Sequence, residues 1–100
     1  MPEPRITSQS MRVLDAFVQA GHIELSGADI SERTGMLSGT LYPILIRFRA
    51  AKWLTDRWEN DDPAELGRPK KRFYRLTPSG HLAHQRGLAK ATAGEFAWAR

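Results

Sequence analysis

The segment from Gly67 to Gly80, GRPKKRFYRLTPSG, constrains the fold more than any other part of the chain. It begins as a basic loop without an acidic residue, and residues 73–76 have the β-favouring, roughly alternating composition of a half-buried strand. Thr77 followed by Pro78 is typical of the N-cap and first residue of a helix. The segment therefore predicts a cationic loop, a strand and a helix in immediate succession.

Two helices are predicted in the first third of the chain. Apolar residues recur at helical spacing over residues 8–20, Thr7 or Ser8 is the expected N-cap of that helix, and Gly21 is its expected end. Ser26 and Asp29 have the spacing of a capping box, with Asp in place of the usual Glu. This pattern predicts a short second helix that ends at Gly35, after an extended link over residues 22–25.

A third helix is predicted from Ser38, its expected N-cap, to about Ala51. At 100° per residue one face is apolar and is expected to be buried, and the opposite face is expected to point outward. The buried set is Leu41, Ile44, Leu45 and Phe48, and the outward set is Thr40, Pro43, Arg47 and Ala50. The short turn before this helix is typical of a helix-turn-helix.

The remaining pattern completes a winged helix-turn-helix. Residues 54–59 alternate as a strand, with Trp58 expected to be partly buried, and residues 60–69 form a polar loop. An alanine-rich helix is predicted over residues 78–100. The predicted fold class is therefore mainly α with a two-stranded β-wing, followed by an added C-terminal helix.

The charge of the chain favours a polyanionic partner. The net charge is +4, and residues 36–75 carry nine basic against five acidic groups. An ordinary solvated basic face remains the alternative. The chain has no cysteine, and it shows neither a signal-peptide core nor an apolar run of membrane-spanning length. We therefore expect a soluble, cytoplasmic protein without a membrane partner.

Two motifs carry a family resemblance. The first is GTLYPIL at residues 39–45, and the second is the segment from Gly67 to Gly80, with GRP at its start, YRLT in its middle and a glycine at its end. With both in this order, the chain resembles the PadR family of bacterial transcriptional regulators, in its small subfamily, over roughly residues 11–82. The resemblance implies a homodimeric repressor that binds a double-stranded DNA operator and that a small-molecule effector or other signal releases. Lys52 departs from the family, which often has a glycine there that suits a left-handed helix end.

These considerations assign residues 1–77 to a winged helix DNA-binding domain, with residues 1–6 as a flexible arm, and residues 78–100 to a dimerisation helix. The predicted DNA-binding residues are Ser38, Gly39, Thr40, Tyr42, Arg47, Arg68, Lys70 and Arg72. Two alternatives stay open, in which Tyr42 packs against the first helix and the basic loop is merely a solvated hairpin tip. Lys71 and Arg72 point to opposite faces of a strand, so that at most one of them faces DNA.

The last helix is predicted to pair two chains through Leu82, Leu88, Phe96 and Trp98. Glycines recur every seven residues at 80, 87 and 94, and we hypothesise that Gly87 and Gly94 allow a partner helix to approach closely; chance recurrence is the alternative. His81 and His84 share a spacing that serves metals, but no third ligand is evident. No metal, cofactor or catalytic site is therefore predicted.

Two further functions fit the same fold. A winged helix can serve as a protein-interaction module or accessory factor without sequence-specific DNA binding. It can also act as a ligand-sensing scaffold that binds DNA only weakly. The cationic wing favours the DNA-binding regulator, because an interaction module does not require positive charge there.

Overall fold

The computed structural model describes residues 3–98, over which the chain forms five helices and three strands. In chain order these are α1 (Ser8–Ala20), β1 (Leu25–Ser26), α2 (Gly27–Thr34), α3 (Ser38–Ala50), β2 (Leu54–Trp58), α4 (Pro63–Leu66), β3 (Arg72–Leu76) and α5 (Pro78–Thr92). The predicted fold class is confirmed: a mainly helical chain with a small antiparallel sheet.

The sheet has three strands in the order β1-β3-β2, one more than the sequence predicted. Leu25 pairs with Tyr74 in the added strand, at the end of the segment that was expected to be a simple link. The long loop of the hairpin also contains the short helix α4, which Asp62 caps by accepting from the backbone N–H of Ala64 at 2.9 Å. The third strand forms because residues far apart in the chain pair with each other, and α4 forms because Asp62 caps it locally.

The N-caps of three helices follow the sequence prediction. The Thr7 hydroxyl accepts from the Ser10 N–H at the start of α1, and Thr77 caps α5 by accepting from the Gly80 N–H at 3.1 Å. At α2, Ser26 and Asp29 exchange the two hydrogen bonds of a capping box. The Ser26 backbone N–H bound to its carboxylate lowers the pKa of Asp29.

Helix α3 begins differently from the prediction. Its N-cap is Leu37 rather than Ser38, and no side chain caps it. Ser38 is instead the first helical residue, because the chain turns into the helix one residue earlier and the Leu37 carbonyl accepts the first helical hydrogen bonds, from the N–H groups of Thr40 and Leu41. The Leu37 side chain is 80% exposed.

The end of α3 places Lys52 in the left-handed region, with φ 63°. The Trp53 N–H donates to the Phe48 carbonyl at 2.9 Å and the Lys52 N–H donates to the Arg49 carbonyl at 3.0 Å. These two bonds form a Schellman motif, and the Phe48 and Trp53 rings, 5.1 Å apart, supply its apolar contact. Lysine therefore occupies a conformation that glycine adopts more readily.

The buried face predicted for α3 is confirmed. All four of its apolar residues are buried in a core that α1, α2, the sheet and α5 share. The largest fully buried side chains of this core are Trp53, Phe48, Met11, Leu14, Leu25, Ile30, Leu41, Leu45, Leu54 and Val13. Because α3 is anchored by one face only, its other face is held at a fixed position on the surface.

Two glycines of α5 allow close packing within the domain, and one of them lies against α1. A Cβ at Gly87 would collide with the Met11 side chain, and a Cβ at Gly80 would collide with the Trp53 carbonyl oxygen. Gly94 lies beyond the helix with φ 82°. The hypothesis that Gly87 and Gly94 admit a partner helix is therefore wrong: Gly87 makes room for the chain's own α1, and Gly94 belongs to a helix end.

Both ends of the described chain lie against the core. The last helix ends at Thr92 rather than at residue 100, because the chain turns at Gly94, and Phe96 and Trp98 then pack against the core. The arm that was expected to be flexible buries Ile6 in the core. Residues 1–2 of that arm and residues 99–100 of the predicted helix fall outside the described residues.

Candidate nucleic-acid interface

The outward face of α3 is free of packing, as its periodicity predicted. Thr40, Pro43, Arg47 and Ala50 are all exposed, and so is Ile46 between them. The fold does not require a glycine at Gly39 in the first turn, since the φ of this residue is not positive and an added Cβ would meet nothing within 4 Å. This face is therefore available to a partner outside the domain.

A groove of about 410 Å³ joins this helix to the hairpin. Tyr42 and Ile46 line it from α3, and Lys70 and Lys71 line it from the hairpin. The Tyr42 hydroxyl lies over Gly27 at the start of α2, so close that a Cβ at Gly27 would overlap it. Tyr42 thus packs against the second helix rather than the first, while 42% of the residue stays exposed.

The wing, residues 59–71, connects β2 to β3 and is braced by one carboxylate. The Arg68 guanidinium donates to both Glu59 carboxylate oxygens at 2.7 and 3.0 Å, and the Lys71 backbone N–H donates to the same carboxylate at 2.9 Å. The Arg68 and Lys71 hydrogen bonds lower the pKa of Glu59 to about 2. Arg68, predicted as a DNA contact, is thus held at the base of the wing.

Arg72 is engaged within the domain as well. Its Nε lies 2.5 Å from Asp56 Oδ2, and the Arg49 guanidinium of α3 donates to the same oxygen at 3.2 Å. The Arg72 guanidinium also lies 5.1 Å from the centre of the Trp58 ring. Trp58 was expected to be partly buried, but 55% of the residue is exposed. Its ring lies over the Arg72 guanidinium rather than in the core.

The arginines on the opposite face of the sheet are occupied too. Arg57 donates to Glu24 at 2.7 Å, which lowers the pKa of that carboxyl, and Arg75 donates to the His22 carbonyl at 3.1 Å. By contrast, the side chains of Arg47 and Lys70 form no hydrogen bond or ion pair with any residue between 3 and 98. Of the predicted contact residues, these two present the unneutralised charge.

Sequence reasoning missed Asp56 and Glu59, the two carboxylates that decide which wing cations are free. Their signal is present in the strand alternation: Trp58 lies opposite Arg72 in the hairpin, so Asp56, two residues earlier, shares its face. The hairpin register was required to see this. Ile46 was not among the predicted contact residues either, because its position on the helical wheel placed it on a flank of the outward face.

The predicted dimerisation residues divide into two groups. Leu82 is 55% exposed on α5, whereas Leu88, Phe96 and Trp98 are partly buried against the chain's own core. On the same helix His84 is buried, with its Nε2 3.3 Å from Asp15 Oδ1. Among residues 3–98, no cluster of three His, Cys, Asp or Glu side chains is placed to hold a metal ion, and no helix has the length and apolarity to cross a membrane.

Comparison with known proteins gives a family and a fold. The model of the transcriptional regulator PadR-like family matches residues 17–86. No protein of curated function matches the sequence significantly.

Three solved structures illustrate the likeness of fold. Bordetella bronchiseptica BpsR, whose DNA binding is regulated by 6-hydroxynicotinic acid, matches with a TM-score of 0.69 and 22% identity; the alignment covers 93% of this chain but 64% of BpsR. A PadR-like transcription factor of Bacteroides fragilis matches with a TM-score of 0.64 and 22% identity, over 86% of this chain and 80% of that one. The smu.1704 protein of Streptococcus mutans matches with a TM-score of 0.58 and 25% identity, over 94% and 91% of the two chains.

Proposed function

The chain belongs to the PadR-like family of transcriptional regulators, which are not enzymes, and we propose that it is a sequence-specific, homodimeric repressor of operator DNA. One observation carries the proposal: the unpacked face of α3 and the basic wing form one continuous surface across the groove that Ile46 and Lys70 share. An α-helix fits the major groove of a duplex, and a cationic hairpin beside it fits the adjacent phosphates. A regulator of this kind works in the cytoplasm.

The residues of this surface take distinct roles. The first two residues of α3, residues 38–39, present unsatisfied backbone N–H groups to a phosphate or base edge, and Gly39 lets that backbone approach closely. Arg47 reads a guanine, which offers two acceptors to one guanidinium. Lys70 binds phosphate, and Tyr42, whose hydroxyl packs against Gly27, contacts the duplex through the exposed part of its ring.

Arg68 and Arg72 contribute less charge than the sequence suggested. Each keeps about a third of its side chain exposed while a carboxylate neutralises it. They contact the phosphate backbone from these fixed positions and chiefly hold the shape of the wing. Phosphate contacts of this sort position a protein on the duplex without reading its sequence.

Alanine variants of the two unneutralised cations test the proposal. An operator is first selected from random DNA with the wild-type protein, and affinity is then measured by fluorescence anisotropy over a range of salt concentrations. Lys70→Ala should weaken binding to all sequences and reduce the salt slope by about 1, whereas Arg47→Ala should weaken operator binding and relax its sequence preference. Lys90→Ala, an exposed lysine of α5 outside this surface, is the matched control, and sedimentation checks that it pairs as the wild type does. Unchanged affinity and salt slope in both interface variants would reject the proposed interface.

The repressor acts as a dimer, with residues 78–100 supplying the pairing surface. Leu82 is the exposed apolar residue of α5 that supports this assignment. A twofold dimer reads a pseudo-palindromic operator, whose half-sites lie about one helical turn or a multiple of it apart. Footprinting on the selected operator measures that spacing, and a single unpaired half-site would contradict it.

A small-molecule effector releases the repressor, as the regulation of BpsR by 6-hydroxynicotinic acid suggests. Arg12, Arg33 and Trp98 line a cavity of about 340 Å³ and suit an anionic aromatic compound. Asp15, the carboxylate among the described residues of its lining, is engaged by Gln19 and His84. The Trp98 Nε1 is buried there without a hydrogen-bond partner among the described residues. 6-Hydroxynicotinic acid should therefore quench tryptophan fluorescence in the wild type and not in Trp98→Phe; equal quenching in both would place the effector elsewhere.

A further inference from the structure

The centre of the outward face of α3 is apolar rather than charged. Gly39, Pro43, Ile46 and Ala50 follow one another at intervals of four, three and four residues, which places them in a single stripe along the helix. All four residues are exposed, and Ile46 is 59% exposed. Arg47 lies at the edge of this stripe, not on its midline.

Ile46 is placed where an apolar partner would meet it. Its side chain borders the groove shared with the wing on one side and the groove shared with the N-terminal arm on the other. Unneutralised cations flank it, Lys70 across the first groove and Arg47 beside the second. The acidic residue that lines the second groove, Glu3, is paired with Arg86. The surface is thus apolar at its centre and positive at its edges.

The major groove of DNA has the complementary distribution. Phosphates form its two edges, and the one apolar group that the bases present in it is the thymine C5-methyl. A surface that binds another protein would not require unpaired cations on both sides of its apolar centre. Charge complementarity therefore favours a duplex as the partner of the stripe.

We propose that Ile46, at the centre of this stripe, determines operator specificity by contacting thymine methyl groups, with Arg47 as the hydrogen-bonding reader beside it. This inference rests on the proposed function, and it adds which bases the repressor selects. The half-site is then defined mainly by methyl groups at fixed positions in the major groove and by one guanine. Polar contacts to adenine are a minor part of its readout.

Deoxyuridine substitution tests the inference, because it removes the 5-methyl group and leaves base pairing unchanged. Each thymine of an operator selected by the wild-type protein is replaced in turn, and affinity is measured at one salt concentration. Loss of a buried methyl contact should weaken wild-type binding about four-fold at the thymines under Ile46. Ile46→Ala should bind the unmodified operator more weakly and show no further loss with deoxyuridine at those positions.

A matched control is available in Ile23, another exposed isoleucine, on the segment that follows α1. Ile23→Ala should keep the wild-type response to deoxyuridine. Circular dichroism of both variants checks that the fold is retained, as expected for exposed positions.

The outcomes separate this inference from the proposed function. Wild-type affinity that is unaffected by deoxyuridine at every thymine would overturn methyl readout while leaving DNA binding intact. An Ile46→Ala variant that retains the full deoxyuridine penalty would remove Ile46 from the role. Failure of the wild-type protein to enrich any duplex would overturn the proposed function, and methyl readout would fall with it.

Discussion

At the scale of single residues, Lys52 occupies a backbone conformation in which glycine would be more stable than lysine. Its backbone has φ 63°, and its carbonyl accepts from the Thr77 hydroxyl at 2.6 Å, which ties the end of α3 to the start of α5. The left-handed conformation costs a residue with a Cβ about 1–2 kcal/mol. The side chain itself is exposed, so the strain belongs to the backbone.

Lys52→Gly should therefore stabilise the protein. Relief of the left-handed strain, about 1–2 kcal/mol, is offset by the added chain entropy of glycine, about 0.5–1 kcal/mol, and leaves a gain of up to about 1.5 kcal/mol in the free energy of unfolding. Urea denaturation measures this difference. Lys90→Gly, within α5 and equally exposed, should instead lose about 1 kcal/mol. A Lys52→Gly variant less stable than wild type would show that the lysine is not strained.

Gly80 is the opposite case, a glycine that the fold requires. A methyl group there would overlap the Trp53 carbonyl oxygen and the Leu76 side chain. Gly80→Ala should destabilise the protein by at least about 1–3 kcal/mol, because a backbone atom cannot move aside as a flexible side chain can. Gly39→Ala, with open space around its Cβ, should not destabilise the protein and serves as the control. Equal stabilities in denaturation would contradict this close approach.

At the scale of elements, the wing depends on an ion pair rather than on a core. The pKa of Glu59 is lowered to about 2, first by the Arg68 side chain and then by the Lys71 backbone N–H. A carboxyl whose pKa falls on folding stabilises the folded wing above its unfolded pKa, about 4.3, and loses that contribution as the pH falls toward 2. The wing should therefore loosen in acid before the helical core does.

Arg68→Ala should raise the pKa of Glu59 toward its ordinary value, because the largest cause of the lowering is removed. NMR titration of the Glu59 side-chain carboxyl gives the midpoint in the wild type and the variant. Arg33→Ala, on α2, should leave the midpoint unchanged. The same low midpoint in the Arg68 variant would mean that the ion pair does not form in solution.

The sequence predicted those elements whose signals are local. The 3.6-residue period located the buried and outward faces of α3, and short side chains beside helix starts located the caps at Thr7, Ser26 and Thr77. Only the family resemblance indicated the left-handed position of Lys52, where the family often has a glycine. Each of these features depends on residues within about one or two helical turns.

What the sequence could not predict depends on which distant residues meet. Whether Arg72 faces DNA or Asp56 is decided by the hairpin register, and whether Gly87 serves a dimer or α1 is decided by the packing of two helices. The return of Phe96 and Trp98 onto the core likewise needs the position of α1. Because the residue types are the same in either arrangement, the sequence alone does not distinguish the two.

At the scale of the whole molecule, α5 would serve two partners with two faces in the proposed dimer. Gly80, Ala83, His84 and Gly87 form the buried face, so the helix is part of the domain's core rather than an appended segment. The opposite face is exposed and carries Leu82. A repressor built on this plan pairs through a surface that is rigid before the dimer forms.

Leu82→Glu should separate the proposed dimer without unfolding the chain, since the side chain is 55% exposed in the single chain. Loss of one buried leucine in each subunit, with two carboxylates brought together about the twofold axis, should raise the dimer dissociation constant on the order of a hundredfold. Sedimentation equilibrium measures that constant, and circular dichroism confirms the fold. Ile23→Glu places the same charge at an exposed apolar residue outside α5 and should leave the dimer unchanged. If Leu82→Glu sediments as the wild type does, α5 is not the pairing surface, and two copies of α3 must reach their half-sites through another interface.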